Sequence, residues 1–290
     1  MIKFPTNTEL LENRYPFLIA EIGINHNGDL ELAKKLIDVA KLSGFNAVKF
    51  QKRTIELVYT PEELDKPRDS IYGLTNRDLK IGLEFDKEEY LKIDEYCKNL
   101  GMIWFASPWD LQSVDFLEQF NIPVYKVASA CLTDSKLLSR INQTGKPVIL
   151  STGMSTMNQV NSALNFLDRS KTSLLHCVST YPAENSDLNL EIINTLRESF
   201  KLPVGYSGHE RGVLPSVIAV ASYQACIVER HITIDRSMWG SDQAASLEPQ
   251  GMSKLVKYIS ESIECRGDKN KTILDSEIPV LQKLRRVSDF

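Results

Sequence analysis

The stretch 226–233 reads CIVERHIT, and it joins an apolar, strand-like run to three consecutive polar residues. The apolar part lacks strict polar–apolar alternation, which is typical of strands that are covered on both faces of a parallel sheet. Glu229, Arg230 and His231 are costly to bury unless each finds a partner. We therefore interpret the end of this strand as one side of a site that other strands share.

Similar runs recur along the chain, with helical patterns between them. The predicted strands are 17–23, 47–51, 103–108, 124–129, 148–152, 173–179, 204–208 and 226–232. The clearest helical segments are 30–44, 86–101, 135–145 and 252–263. Three of these segments end at glycine, as helices often do. Eight strand–helix repeats predict an α/β fold, a (β/α)8 TIM barrel. The alternative, a doubly wound sheet, would normally show a G-x-G-x-x-G turn, which the sequence lacks.

The domain organisation follows from where this repeat is interrupted. We expect residues 1–290 to form one barrel, with a short cap at 1–15 and a long insert at 52–85 after the second strand. A long loop after a barrel strand lies at the C-terminal mouth, where such barrels bind ligands. We interpret the insert as a lid or specificity loop; the alternative is a surface excursion without function.

Composition excludes several functional classes. The chain is 42% hydrophobic and 25% charged, with a net charge of -4, so it offers no electrostatic case for nucleic acid or an anionic membrane. No apolar segment reaches the roughly 18 residues of a membrane span, and no signal peptide core precedes residue 17. The five cysteines are scattered without a C-x-x-C pair, which favours reduced thiols. We expect a cytoplasmic protein.

Polar residues fall at the C-terminal ends of all the predicted strands, which converge in a barrel. The candidate site residues are Glu21, Lys49, Gln51, Ser107, Lys126, Ser129, Ser151, Ser179, Tyr181, Ser207, His209, Glu229, His231 and Asp242. Lys49 and Lys126 on buried strands need anionic partners. With the serines as neutral donors, they indicate a pocket for a phosphate or a carboxylate. The alternative is internal pairing with Glu21 or Glu229.

His209 and His231 end adjacent predicted strands, so they could share one divalent cation. Two histidines without a third clear ligand would make an open site, although such a pair can also be structural. The lysines alone would also allow a Schiff-base aldolase.

Eight motifs resemble those of one enzyme family, in the same order. They are AEIGINHNGDLELAKKLID, AVKFQK, YKVAS, LSTGM, LHCVSTYP, GYSGHE, ERHIT and GSDQAASLEP. Together they resemble the sialic acid synthases, or more broadly the nonulosonate synthases. The resemblance implies a (β/α)8 barrel and a condensation of phosphoenolpyruvate with an N-acetylmannosamine-type sugar, which yields a nine-carbon 2-keto acid and phosphate. It also implies a divalent metal, Mn2+ or Mg2+, and a homodimer.

The resemblance assigns roles to the candidate residues. Phosphoenolpyruvate would be held by Lys49, Ser107, Lys126, Ser129, Ser151 and Ser207, with Ser179 standing where some relatives have Asn. The sugar would be contacted by Glu21, Gln51, Tyr181, Glu229 and Asp242. His209 and His231 would bind the metal, and Glu21 would transfer a proton or orient water. Lys49, Lys126 and the two histidines complete the expected catalytic set.

Some features depart from the family pattern. Cys131 stands where many relatives have an acidic residue, and the sequence lacks the C-terminal antifreeze-like domain of many bacterial members. Either Arg68, Arg77 or Lys80 of the insert would then complete the sugar site, or the acceptor sugar would differ. The motifs GYSGHE and GSDQAASLEP are closer to animal-type enzymes, which favours a 6-phosphorylated sugar. The competing hypotheses are a pyruvate aldolase and a non-catalytic sugar-binding barrel.

Overall fold

The structure is a computed structural model that describes residues 3–288. Its strands are β1 Phe17–Gly23, β2 Ala47–Lys52, β3 Pro67–Ser70, β4 Gly73–Thr75, β5 Ile103–Pro108, β6 Tyr125–Val127, β7 Val148–Ser151, β8 Thr172–His176, β9 Val204–Gly208 and β10 Ile227–His231. Eight of them form one parallel sheet in the order β5-β2-β1-β10-β9-β8-β7-β6, while β3 and β4 form a separate hairpin. The end strands β5 and β6 also lie next to each other. The sheet is therefore a nearly closed (β/α)8 barrel, which confirms the predicted fold.

Helices surround this sheet. They are α1 Asn7–Glu12, α2 Leu30–Ser43, α3 Ile55–Val58, α4 Pro61–Leu64, α5 Asn76–Gly82, α6 Lys87–Leu100, α7 Leu111–Leu117, α8 Ser135–Gln143, α9 Met157–Leu164, α10 Ile192–Phe200, α11 Leu214–Ala221, α12 Pro249–Arg266 and α13 Ile278–Leu284. The sequence signals for these helices are local. Asp29 caps the N-terminus of α2 by accepting hydrogen bonds from two backbone N–H groups, and Gly44 ends that helix in a left-handed conformation.

The predicted strands are all present, with small differences at their ends. The largest differences are at 124–129, where only Tyr125–Val127 is a strand and Ser129–Cys131 is a 3-10 turn, and at 173–179, where the strand is Thr172–His176. The hairpin β3–β4 was not predicted from the sequence, because its strands are short and mostly exposed. Short exposed strands lack the apolar pattern that marks the barrel strands.

The N-terminal segment packs against the N-terminal end of the barrel. The Asn7 side chain donates to the carbonyl oxygens of Arg169 and Thr172, where β8 begins. Phe4 packs edge-on against Phe17, with ring centroids 5.0 Å apart. Residues 1, 2, 289 and 290, which the predicted cap and domain include, lie outside the described residues. The division of the chain into domains stays a prediction.

The insert 52–85 reaches the loops at the opposite end of the barrel. The Tyr72 hydroxyl donates to the Asn27 carbonyl oxygen at 2.5 Å, and its ring lies 6.5 Å from that of Trp239. Asn27 follows β1 and Trp239 follows β10, so the insert is attached to the C-terminal side of the barrel. Within residues 3–288, no helix combines the length and apolar character needed to cross a membrane.

Candidate active site

A cavity of about 190 Å³ lies at the C-terminal ends of the barrel strands. Its lining includes every candidate site residue from the sequence except Asp242: Glu21, Lys49, Gln51, Ser107, Lys126, Ser129, Ser151, Ser179, Tyr181, Ser207, His209, Glu229 and His231. A larger cleft of about 530 Å³ lies at the other end of the barrel, beside Leu10 and Cys226. That cleft shares no residue with the smaller cavity. The candidate site is therefore the smaller cavity, where the buried charges converge.

Two lysines and two glutamates form its buried centre. Lys49 Nζ lies 2.8 Å from Glu21 Oε2 and 3.6 Å from Glu229 Oε1. Lys126 Nζ lies 3.5 Å from the same Glu229 oxygen. The internal pairing that the sequence left open is therefore present, and Glu229 is shared between both lysines.

The two glutamates differ in their ionisation. Burial, opposed by Lys49 and reinforced by Glu229, raises the pKa of Glu21 to about 7. Burial also disfavours ionised Glu229, but Lys126, Lys49 and the two histidines outweigh it and hold the pKa of that carboxyl at about 2. Near neutral pH, Glu229 is ionised, whereas Glu21 exchanges its proton readily.

Burial itself lowers the pKa of both lysines, but the carboxylates act unequally on them. The two glutamates outweigh burial at Lys49 and raise its pKa. At Lys126, burial dominates and the pKa is lowered, because Glu229 is its nearest counter-charge and Lys49 opposes it. When Glu21 is protonated, two ammonium groups face one carboxylate, and the cavity favours an anion.

Hydroxyl and amide groups surround this charged centre. Lys49 donates to Ser107, Ser207 donates to Glu229, and Gln51 donates to Glu21. Several buried atoms lining the cavity have no hydrogen-bond partner in the described chain: Trp109 Nε1, Ser151 Oγ, Glu229 Oε2 and His231 Nδ1. Buried polar groups are normally satisfied, so these atoms point to a polar ligand or ordered water.

The histidine pair lies beside this centre. The imidazole centroids of His209 and His231 are 5.6 Å apart. His209 Nδ1 lies 2.6 Å from the Val178 carbonyl oxygen, which can only accept, so this nitrogen carries the proton and Nε2 has the free lone pair. The Tyr181 hydroxyl approaches that Nε2 at 3.2 Å. Asp242 is the one candidate that does not line the cavity. Its Oδ2 lies 3.8 Å from Nδ1 of His231, which does line it.

These two imidazoles fit an open metal site. Burial lowers the pKa of both, that of His209 to about 4, so both are neutral and can donate a lone pair near neutral pH. Over residues 3–288, no group of three or more His, Cys, Asp or Glu side chains is arranged to hold a metal. A cation here would therefore take its remaining ligands from water or substrate.

Strand alternation explains why polar residues fill the end of β10. Successive side chains point to opposite faces of a strand, so Glu229 and His231 face the cavity while Arg230 faces the surrounding helices. There Arg230 pairs with Glu210, and both are fully buried. Of the three polar residues that end β10, two therefore line the cavity and one forms an ion pair outside it.

Four cavity residues were not among the candidates from the sequence: Trp109, Ala128, Ala130 and Met154. They lie just beyond the barrel strands β5, β6 and β7. That position was a usable signal, but apolar side chains carry no chemical mark of a binding site. The Arg53 guanidinium lies over the Trp109 ring, 4.4 Å from its centroid, and extends the site toward the insert.

The insert residues predicted to complete the sugar site lie elsewhere. Arg68, Arg77 and Lys80 are absent from the cavity lining. Arg77 pairs with Glu56 and Asp65, and Lys80 lies over the Tyr59 ring, so both have partners inside the insert. Their role in sugar binding stays a prediction.

Comparison with known proteins gives this geometry a family context. Residues 36–271 match the model of the NeuB family. The chain belongs to the NeuB family. It is 36% identical to human N-acetylneuraminate-9-phosphate synthase, covering 92% of this chain and 76% of the human protein. It is 37% identical to N,N'-diacetyllegionaminic acid synthase of Campylobacter jejuni, covering 90% of this chain and 80% of that enzyme.

A solved structure of the same family has the same architecture. The N-acetylneuraminic acid (sialic acid) synthetase of Leptospira borgpetersenii, in complex with citrate, superposes with a TM-score of 0.81 at 32% identity. The alignment covers 95% of this chain and 94% of that one. The resemblance seen in the sequence motifs is thus confirmed over nearly the whole NeuB-family chain.

Proposed function

We propose that this NeuB-family chain condenses phosphoenolpyruvate with an open-chain N-acetylmannosamine-type sugar to give a nonulosonic 2-keto acid and phosphate. The observation that carries the proposal is the convergence of Lys49 and Lys126 with serine hydroxyls in one cavity, beside two neutral histidines. Sialic acid and legionaminic acid synthases among the relatives support it. They do not favour an aldolase or a non-catalytic barrel.

Phosphoenolpyruvate would occupy the charged centre. Lys49 and Lys126 would offset the charge of its phosphate and carboxylate, and the serines would donate to their oxygens. The donors are Ser107, Ser129, Ser151, Ser179 and Ser207. Glu229 would keep both ammonium groups in place through contacts at 3.6 Å and 3.5 Å. These contacts support a role for Glu229 in organising the lysines, in addition to the proposed contact with the sugar.

The sugar would lie toward the outer side of the cavity. Gln51 and Tyr181 line the cavity there, and Asp242 stands behind His231. When bound at His209 and His231, Mn2+ or Mg2+ would supply Lewis-acid polarisation of an aldehyde oxygen. The structure fits such an ion through the unprotonated Nε2 of His209, which only the Tyr181 hydroxyl contacts, and the buried Nδ1 of His231, which has no hydrogen-bond partner among the described residues and faces Asp242.

C3 of phosphoenolpyruvate attacks the aldehyde carbon, which forms the new C–C bond and breaks the π bond of the carbonyl. The aldehyde oxygen takes up one proton and becomes a hydroxyl. Water adds at C2, and the tetrahedral intermediate loses phosphate by cleavage of its C–O bond. Glu21, whose pKa is about 7, is suited to give its proton to the aldehyde oxygen and then to accept the proton that this water releases.

Phosphate release tests the proposal directly. Purified protein with phosphoenolpyruvate and Mn2+ is incubated with N-acetylmannosamine, with its 6-phosphate, or without sugar, each with and without chelator. We expect release that depends on sugar and is abolished by chelator. The preferred sugar then shows whether the acceptor is phosphorylated.

Two controls separate this reaction from the alternatives. Lys126→Met and His209→Ala should both lose phosphate release while the fold is retained. Borohydride with pyruvate should trap no imine on Lys49 or Lys126. Silence with both sugars combined with a trapped imine would instead support the aldolase, and silence in both assays would support a binding protein.

Two further expectations accompany the proposal. A homodimer would appear at about twice the 32.8 kDa chain mass in sedimentation equilibrium. A cytoplasmic location suits an enzyme that consumes phosphoenolpyruvate, and fractionation of the source cells would check it.

A further inference from the structure

A fully buried ion pair lies directly behind the histidine pair. Arg230 Nη1 lies 2.8 Å from Glu210 Oε1, and neither side chain is exposed. Glu210 follows His209 in the chain, and Arg230 precedes His231. Each member of the ion pair is therefore the immediate neighbour of one histidine.

The Arg230 guanidinium holds the loop that carries His209. Its Nη2 donates to the Glu210 carbonyl oxygen at 2.6 Å, and its Nη1 donates to the Gly212 carbonyl oxygen at 2.8 Å. A third bond, from Nη1 to Ser216 Oγ at 3.0 Å, reaches α11. Because the guanidinium is planar and rigid, these bonds fix the loop relative to β10 in position and in orientation.

Glu210 is fixed from a second side. Tyr206, on β9, donates its hydroxyl to Glu210 Oε2 at 2.7 Å. The backbone leaves room for this pair only because residue 208 is glycine. A Cβ there would lie 2.7 Å from Glu210 Oε2 and 2.9 Å from Arg230 Cδ.

Stability alone is a weak explanation for such a pair. Removing two charges from water is expensive, and well-packed apolar residues often replace a buried pair without loss of stability. What the pair provides is a defined geometry between two strand ends. Outer contacts of this kind commonly tune metal affinity by orienting the ligands.

We infer that the Glu210–Arg230 ion pair is a positioning device that sets the spacing and orientation of His209 and His231, and thereby the affinity of this site for a divalent cation. The part concerning the cation rests on the proposed function. The part concerning the imidazoles does not, since it follows from the bonds of Arg230 to the His209 loop.

The main test variant is Tyr206→Phe/Glu210→Leu/Arg230→Met. It removes both charges and the hydroxyl together, so no charge of the pair is left buried alone. Arg230→Lys is the second variant, since it keeps the positive charge but loses the planar set of N–H donors of the guanidinium. The control is Glu118→Leu/Lys146→Met, which removes another ion pair, 2.6 Å long, that lies outside the cavity lining.

The first measurement needs no metal. The chain contains only four histidines, so their imidazole resonances can be assigned by long-range 1H–15N NMR. We expect both test variants to shift the signals of His209 and His231, while that of His26 stays in place; His176 is no reference in the triple variant, because its ring lies 6.1 Å from that of Tyr206. In the control all four should stay in place. Unchanged His209 and His231 signals in the folded triple variant would overturn the inference.

The second measurement is Mn2+ binding, followed by the EPR signal of the free ion. We expect roughly 10- to 100-fold weaker binding in the test variants than in wild type, as for outer contacts at other metal sites. If His209→Ala/His231→Ala binds Mn2+ as wild type does, the proposed metal site is wrong, and the NMR result still decides the positioning role. If binding depends on the histidines but is unchanged in the triple variant, the link from the ion pair to metal affinity is wrong.

Discussion

At the scale of single residues, the site is organised by one shared carboxylate. Glu229 lies within 3.6 Å of both buried lysines, so it holds two mutually repelling ammonium groups in one cavity. A pair of lysines without it would lose protons rather than remain charged in a buried place. The alternative of internal pairing is therefore compatible with an anion site, because the carboxylate favours the charged form of both lysines.

Replacing Lys126 by methionine should weaken phosphoenolpyruvate binding. Hydrogen bonds to charged groups contribute about 1.5–3 kcal/mol, which corresponds to about a 10- to 150-fold higher Kd. Isothermal titration of the variant measures this directly. Lys136→Met on the exposed face of α8 serves as the control and should bind as wild type does. Wild-type affinity in Lys126→Met would contradict the proposed anion site.

Glu21 should make anion binding dependent on pH. Its pKa is about 7, so it is neutral below that pH and adds a negative charge beside the anion above it. Binding that requires the neutral form should weaken about tenfold between pH 6 and pH 8. Glu21→Gln should lack this pH dependence. The ratio of the dissociation constant of wild type to that of Glu21→Gln at each pH therefore separates the titration of Glu21 from that of the ligand itself. A constant ratio across this range would exclude Glu21 as the coupled group.

At the scale of elements, local signals predicted the barrel well. Asp29 and Gly44 bracket α2 where the sequence indicated its ends, and the strand ends supplied the polar residues of the cavity. The Glu210–Arg230 pair was not predictable in this way. Its members are twenty positions apart in the chain. They meet only because the Arg230 side chain leaves β10 on the face that points away from the cavity. Long-range side-chain pairing leaves no periodic trace in a single sequence.

The insert is anchored to the barrel by the bond from Tyr72 to Asn27, and the Tyr72 ring packs closely on Gly82 of the same insert. A Cβ added to Gly82 would lie 2.2 Å from the Tyr72 ring, so Gly82→Ala must displace the tyrosine that bonds to Asn27. We expect a loss of about 1–3 kcal/mol, as for other overpacked sites. We also expect a higher KM for the sugar. Urea unfolding and acceptor kinetics measure the two effects.

Gly251→Ala is the matched comparison, since Gly251 also lies in a helix. Its added Cβ would meet Leu247 at 3.5 Å, an ordinary contact, so helix propensity should dominate. Alanine should then stabilise the protein by about 0.5–1 kcal/mol. If both substitutions changed the free energy of unfolding in the same direction, the packing of Tyr72 would not be what holds the insert in place.

At the scale of the whole molecule, the cavity lies across the weakest point of the barrel. The hydrogen-bonded order of the described strands begins at β5 and ends at β6, so these two neighbours are joined by contacts without ladder pairing. Ser107 on β5 and Lys126 on β6 both face the cavity. A bound anion that contacts both would bridge the join between β5 and β6, which we call the seam.

Ligand binding should therefore protect the seam more than the rest of the barrel. We expect phosphoenolpyruvate to slow amide hydrogen exchange most at 103–108 and 125–127, because each of these two end strands is hydrogen-bonded to a neighbour along one edge only. The paired strands β9 and β10 should change less, although they also line the cavity. Exchange followed by mass spectrometry, with Lys126→Met as the variant that cannot bridge, distinguishes local closure from general stabilisation. Equal slowing in all strands would mean that the anion stabilises the barrel as one unit and that the seam has no special role.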